Sequence, residues 1–369
     1  MSVPTSTEAL VIDGHSVSLK KVTLPKYKDD EIVLKTSCVS INPTDVKHVD
    51  FKMATDGAIV GVECAGQVIA AGNSVKNCKV GDLVALSVSG SSLDAPEYGA
   101  FADYVVAGTK MLFKWPGIQD STKTGLVPFG PVQTLQQANS LPVGLTTAAI
   151  AISYFSQIPL EPNPSLRDEI FFVWGGASSL GQATIQLAKY CGFTVFATCS
   201  PNNNDWLKAI GCDKTFNYKE TDVVTLIKKA AGENIVYAYD CITDGNTTQS
   251  TNQIVSSSKP VKLFTSLAYN PANLGSEKKD NVTFLFPLAY LATDSVKKFG
   301  QLGQLESPPG LFEAADKFMI RYNELINQDP TIFKAMPVEV ISGGFDAIKT
   351  GMEIVRKGEN KGKKMVVLM

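Results

Sequence analysis

The hydrophobic pattern is most regular from residue 170, where Ile-Phe-Phe-Val-Trp runs into Gly-Gly-Ala-Ser-Ser-Leu-Gly. Five bulky apolar positions without alternation predict a strand buried on both faces. Past the glycines, Leu180, Ala183, Thr184, Leu187, Ala188 and Cys191 recur at helical spacing, giving a helix one face to lay on a sheet. Strand-like runs follow at 193–198, 214–218, 235–240 and 261–265, with helical patterns between them at 205–210, 223–231 and 247–255. Such alternation predicts an α/β domain with a doubly wound parallel sheet of the Rossmann type, assigned to residues 140–315. Earlier in the chain the pattern changes. Short β-like runs at 9–12, 17–22, 31–39, 60–70, 83–88 and 100–106 are punctuated by Gly72 and Gly81-Asp82, which predicts a small barrel-like β domain. A helical stretch spans 133–156 with a break at Pro142, and the tail returns to β character at 338–341 and 364–368 around a helix at 345–357. The β domain is therefore expected to be discontinuous, 1–139 plus 316–369, with the parallel-sheet domain inserted.

The glycine turn is the first candidate for chemistry. Strand, glycines and helix let a backbone approach a pyrophosphate and point free N–H groups and a positive dipole end at it. Gly175, Gly176, Ala177, Ser178, Ser179 and Leu180 are the residues placed there. Gly181 stands six positions after Gly175, a spacing unlike G-x-G-x-x-G, and the turn by itself also fits a tight strand–helix connection. The βαβ context favours the dinucleotide reading. At the end of the second strand, Thr198-Cys-Ser-Pro-Asn-Asn203 offers no carboxylate before Asp205. A carboxylate there would bind the two ribose hydroxyls of NAD and repel a 2′-phosphate. Ser200, Asn202 and Asn203 can donate to phosphate oxygens instead, so NADPH is the expected cofactor. The same residues also read as a polar loop capping the helix at 205.

Composition narrows the rest. The 34 basic and 36 acidic residues nearly balance, and no basic run is dense enough for nucleic acid. The N-terminus lacks the features of a signal peptide, and no apolar run is long enough to span a bilayer. Seven Cys without a C-x-x-C pair suggest reduced thiols and a cytoplasmic protein.

Seven landmarks in order then resemble the medium-chain dehydrogenase/reductase superfamily. They are Ile41-Asn-Pro-Thr-Asp-Val-Lys47, Gly61-Val-Glu-Cys-Ala-Gly66, Val80-Gly-Asp82, Gly99-Ala-Phe-Ala-Asp-Tyr104, Leu141-Pro142, Thr146-Thr-Ala148 and the turn at 175–181. Gly343-Gly-Phe-Asp-Ala-Ile-Lys349, Val355-Arg-Lys-Gly358, Cys199-Ser-Pro-Asn202 and Asp240-Cys-Ile-Thr243 are similar to one branch, the fungal trans-acting enoyl reductases and related zinc-free oxidoreductases. The resemblance implies a GroES-like catalytic domain beside the Rossmann domain. It also implies cofactor contacts from Tyr218, Ser266, Leu267, Val355 and Arg356. Where zinc enzymes of the superfamily carry a Cys and the His of Gly-His-Glu, this chain has Asn42 and Val62, and residues 88–110 contain no Cys. Zinc needs three or four ligands at close quarters, and the chain has only two His, so no metal is expected. His48 lies beside the candidate site but cannot build a zinc site by itself.

Without metal, hydride transfer to an enone or enoyl thioester needs donors for the enolate oxygen. The resemblance places Lys47 and Thr147 there, with Asp45 orienting the loop. An ordinary surface lysine, a helix-start threonine and a simple cap are the alternatives for these three. Glu63 is expected to be a structural partner rather than an acid. Phe284, Leu285, Phe286, Leu288 and Tyr290 suggest core or dimer packing before a substrate channel. Three functions stay open: an NADPH-dependent reductase of enoyl, enone or quinone substrates, an aldehyde/ketone reductase, and a non-catalytic nucleotide-binding partner protein. An acyl-carrier or polyketide synthase partner is compatible with the resemblance, as is a monomer or a homodimer.

Overall fold

The computed structural model describes residues 3–293, 296–298, 300 and 303–369. The chain forms two compact units, Met1–Val143 with Tyr290–Met369, and Gly144–Ala289.

In the second unit, six strands form one parallel sheet in the order Lys214–Asn217, Thr194–Cys199, Ile170–Trp174, Ile235–Asp240, Val261–Thr265, Val282–Leu285. Ile170–Trp174 is buried along its whole length, as its unbroken apolar run requires. Its two faces feed two packing layers. Ile170, Phe172 and Trp174 pack with Phe196, Ile227 and Leu263 on one side. On the other, Phe171 stacks on Tyr237 at 5.9 Å between ring centroids and meets Phe193 edge-on at 5.5 Å. A fully buried side chain of this size contributes about 1.5–3 kcal/mol. The helix Ser179–Cys191 lays its apolar face on the sheet and ends at Gly192, whose φ of +109° fits a left-handed cap. The sixth strand, Val282–Leu285, takes up Phe284 and Leu285 of the apolar run, and Phe284 stacks on Tyr269.

The first unit is built around Glu31–Ile41. Residues 31–35 pair with Tyr104–Gly108, residues 38–41 pair with Lys364–Leu368, and Glu63–Ala71 runs along the other edge. The full strand order is Leu112–Phe113, Leu83–Ser87, Glu63–Ala71, Glu31–Ile41, Lys364–Leu368, Val338–Ile341, Gly125–Val127. Val338–Ile341 and Lys364–Leu368 are parallel, joined by the helix Gly344–Arg356. The backbones of Glu31–Ile41 and Glu63–Ala71 approach so closely that a Cβ on Gly66 would lie 2.0 Å from the Lys35 carbonyl oxygen.

The chain returns to the first unit at Tyr290, not near residue 316 as the pattern implied. The reason lies in side chains that the pattern cannot pair. Tyr290 hydroxyl bonds Thr44 Oγ1 at 2.9 Å, Lys297 Nζ donates to Ser89 Oγ at 2.7 Å, and Tyr322 packs on Phe113. The helical stretch at 133–156 resolves into Leu135–Ala138, Pro142–Ala149 and a π-helical turn, Ile150–Phe155. Among the described residues, no helix is long and apolar enough to cross a membrane.

Candidate nucleotide and catalytic sites

The strand order of the second unit reverses between Ile170–Trp174 and Ile235–Asp240, and the crevice at such a switch point is where open α/β sheets bind ligands. The glycine turn lies at this end. Gly175 has φ +83° and donates to Thr198 Oγ1 at 2.9 Å, while Gly176 N–H donates to the Thr198 carbonyl at 2.8 Å. Ser178 caps the helix by accepting from Gly181 N–H at 3.0 Å. A Cβ on Gly181 would lie 2.3 Å from the Gly175 carbonyl oxygen, and one on Gly176 would lie 2.7 Å from Leu207. Ala177, Ser178, Ser179 and Leu180 are half-buried along the turn. At Gly181 the turn packs backbone on backbone, and at Gly176 it lies against the Leu207 side chain, so neither position has room for a side chain.

Ser200 Oγ lies 3.3 Å from the Tyr218 hydroxyl, which brings together the ends of the second and third strands. Asn202 is exposed, and Asn203 accepts from the Trp206 side chain Nε1 at 3.1 Å. Lys219 Nζ sits 5.9 Å from the Tyr218 ring centroid. Lys219 follows Tyr218 directly in the sequence and lies outside the 199–203 loop. Ser266 N–H and Oγ both reach Thr243 Oγ1, at 2.9 and 3.1 Å, and Leu267 beside them is partly exposed. Asp240 organises that loop: its carboxylate accepts from Ile242 and Thr243 N–H and from the Thr247 and Thr248 hydroxyls. The sequence flagged Asp240 only within a motif.

Thr147 lies on the helix Pro142–Ala149 and is almost fully buried. Gly144 lets this helix approach the start of Ser179–Cys191, since a Cβ there would lie 2.8 Å from the Ser179 carbonyl oxygen. Beside Thr147, Thr146 Oγ1 is buried and finds no partner among the described residues.

In the first unit, the helix Pro43–Asp50 carries Asp45, Lys47 and His48. Asp45 Oδ2 accepts the Asn42 N–H at 2.7 Å, an orphan donor just before the helix. Burial pushes the Asp45 carboxyl up to about 7, against the pull of the Asn42 N–H and the Lys364 ammonium. Lys47 is half-buried. His48 is buried, its Nε2 lies 3.2 Å from Thr44 Oγ1, and its Nδ1 has no partner among the described residues. Burial and the nearby Lys297 push His48 down to about 3, so the ring is neutral near pH 7. Lys297 Nζ stands 4.9 Å above the Tyr290 ring, completing a polar cluster of Thr44, His48, Tyr290 and Lys297 that sequence reasoning missed.

Behind this helix lies a buried ion pair. Lys364 Nζ is 2.7 Å from Glu63 Oε2 and donates to Asn42 Oδ1 at 2.6 Å. Asn42 Nδ2 donates to Glu63 Oε2 at 3.1 Å, and Val143 N–H donates to Glu63 Oε1 at 2.9 Å. Val355 and Arg356 lie at the end of the helix Gly344–Arg356. Arg356 pairs with Asp50 through two bonds, at 2.8 and 3.1 Å, and also with Glu353. A pocket of about 600 Å³, lined by His15, Val17, Val49 and Met352, opens beside that pair.

A family model described as the alcohol dehydrogenase GroES-like domain matches residues 28–117, and one described as zinc-binding dehydrogenase matches residues 179–258. The trans-enoyl reductase buaC of Petromyces alliaceus is 30% identical, over 98% of this chain and 97% of its own. The chain belongs to the medium-chain dehydrogenase/reductase superfamily. It is an oxidoreductase that uses a nicotinamide cofactor. Another relative of this dehydrogenase/reductase, the uncharacterized protein YNL134C of Saccharomyces cerevisiae, is 31% identical over 100% of this chain and 99% of its own. The crystal structure of CurK enoyl reductase shares the fold, with a TM-score of 0.72 at 18% identity over 99% of this chain and 100% of that one.

Zinc is what one matching description implies, and the donor set does not fit it. The two positions at which the resemblance puts ligands are Asn42 and Val62. Asn42 is committed through its amide to Glu63 and Lys364. Among the described residues, no three His, Cys, Asp or Glu side chains are grouped to hold a metal ion.

Proposed function

We propose that this chain is a zinc-independent, NADPH-dependent reductase that delivers hydride to an activated double bond of enoyl, enone or quinone type. The observation that carries this reading is the hydrogen-bonded knot of Asn42, Glu63 and Lys364. An ammonium already neutralises the Glu63 carboxylate, and the Asn42 amide is used on both its atoms. Charge on the acceptor must then be met by hydrogen-bond donors rather than by a Lewis acid, which suits an enolate oxygen.

The reduced nicotinamide supplies the hydride when bound. Gly175, Gly176 and Gly181 keep the pyrophosphate cradle open, and Ser178 fixes the helix start behind it. Ser200, Tyr218 and Lys219 are the proposed partners of a 2′-phosphate, a hydroxyl pair beside a cation with no carboxylate in the 199–203 loop. The Lys47 ammonium and the Thr147 hydroxyl are the proposed donors to the acceptor oxygen. Asp45 holds the loop before Lys47 through the Asn42 N–H. Relatives named trans-enoyl reductase along nearly their whole length support the C=C reading, and they make an acyl thioester on a carrier protein an admissible substrate.

The test is NADPH oxidation by purified protein against an enoyl thioester, an enone, a quinone, an aldehyde and a ketone, with product identification and chelator controls. Saturation of the C=C bond, or quinol formation, at a rate that chelators leave unchanged is the expected result. Turnover confined to the aldehyde and ketone, or lost on chelation, would overturn the reading.

A further inference from the structure

We infer that Glu63, held by the buried ammonium of Lys364, is a positioning residue that fixes the starts of the two helices carrying Lys47 and Thr147. Both helices, Pro43–Asp50 and Pro142–Ala149, open on a proline, which has no N–H to offer. The first donor available in the second helix is therefore Val143 N–H, and it goes to Glu63 Oε1 at 2.9 Å. A carboxylate at that end also meets the positive end of the helix dipole. Glu63 Oε2 holds the Asn42 amide at 3.1 Å, and Asn42 is the residue that caps the first helix. One carboxylate thus reaches both helix starts from the strand Glu63–Ala71.

Lys364 closes the arrangement by binding Glu63 Oε2 and Asn42 Oδ1 together, at 2.7 and 2.6 Å. Glu63, Asn42 and Lys364 are 0%, 5% and 3% exposed, so water does not compete for these bonds. Replacing a buried pair by apolar residues of similar size is often neutral for stability, which directs attention to geometry. Each Glu63 oxygen is already engaged, so the residue acts through the helices it holds rather than on a reacting atom. The inference rests on the proposed roles of Lys47 and Thr147.

Two double variants separate position from packing. Glu63→Gln with Lys364→Met keeps an acceptor for Val143 N–H and an amide partner for Asn42 without charge. Glu63→Leu with Lys364→Met keeps bulk and removes both. Amide hydrogen exchange at the two helix starts, NADPH affinity, and kcat with the best acceptor are measured for each. The Leu/Met protein should exchange at least about tenfold faster at both helix starts and lose about tenfold in kcat, with NADPH affinity within about threefold of the parent. The Gln/Met protein should recover both quantities to within about threefold. Asn42→Ala, which cuts only one branch, should loosen Pro43–Asp50 and leave Pro142–Ala149 protected. It decides the matter if the Leu/Met protein does not fold. Unchanged exchange and kcat in Leu/Met, losses in Gln/Met equal to those in Leu/Met, or equal loosening of both helices in Asn42→Ala would each overturn the inference. Exchange needs no substrate. A parent inactive on the whole acceptor panel would sink the functional reading and leave the helix positioning to be judged on exchange alone.

Discussion

Replacing Asp45 by Asn should raise stability more at pH 8 than at pH 5. Asp45 is fully buried, its Oδ2 accepts one N–H, and its Oδ1 has no partner among the described residues. Burial pushes its carboxyl from 3.8 up to about 7, with Glu63 adding to the rise and Asn42 and Lys364 opposing it. Below about pH 4 the group is protonated in both folded and unfolded chains and adds no pH dependence. Between about 4 and 7 the unfolded chain has released its proton while the folded one keeps it, so stability falls as pH rises. Above 7 the full penalty of a buried anion is present. Three pH units at about 1.4 kcal/mol each make the whole effect about 4 kcal/mol, of which about 3 kcal/mol falls between pH 5 and 8. His48 works in the opposite sense, because its lowered value lets the unfolded chain bind a proton below about 6.5 that the folded chain refuses. That contribution is common to both proteins and cancels in their difference. Urea unfolding at pH 5, 6, 7 and 8 therefore reads Asp45 alone. The advantage of the asparagine protein over its parent is expected to grow by about 3 kcal/mol between pH 5 and pH 8. Parallel curves across the range would mean that Asp45 is ionised in the folded chain throughout.

Three further outcomes follow from named contacts. Gly181→Ala puts a methyl 2.3 Å from a carbonyl oxygen and 2.9 Å from Gly176 Cα, both backbone, so the turn must deform. Calorimetric NADPH affinity should drop by about 100-fold or more, and retained affinity would remove the turn from the cofactor site. Ser200→Asp should shift preference from NADPH towards NADH by about tenfold, or about 1.4 kcal/mol, and equal affinities in the parent would refute the 2′-phosphate assignment. Thr147→Val should lower kcat on the order of 10²-fold with NADPH binding unchanged, and full turnover would leave Thr147 as a helix residue only.

What could be read from the sequence was whatever local pattern dictates. The strand at 170–174, the glycine turn and the helix to Cys191 were legible because burial on both faces, missing side chains and helical period each leave a mark. The closing strand, Lys364–Leu368, was legible as a β-like run. Its neighbour was not, because nothing local says that it pairs with residues 38–41. For the same reason Glu63 read as a partner whose counterpart could not be named. Lys364 bonds its companion Asn42 across 322 positions, and Tyr290 reaches Thr44 across 246. The sixth strand escaped because Val-Thr-Phe-Leu is short and runs into Phe-Pro, so packing and strand could not be told apart. The π-helical turn Ile150–Phe155 leaves no trace in a stretch that is apolar on nearly every side.

Because Lys364–Leu368 lies between Glu31–Ile41 and Val338–Ile341, the middle of the first unit's sheet stays open during synthesis until long after the second unit has left the ribosome. The parallel-sheet unit is contiguous and can fold while the chain is still growing. The β unit must meanwhile hold residues 38–41 with one edge unpaired, and Asn42 and Glu63 without their ammonium. Pairing at such separation makes a slow late step and leaves a bare strand edge exposed to other chains until it is complete.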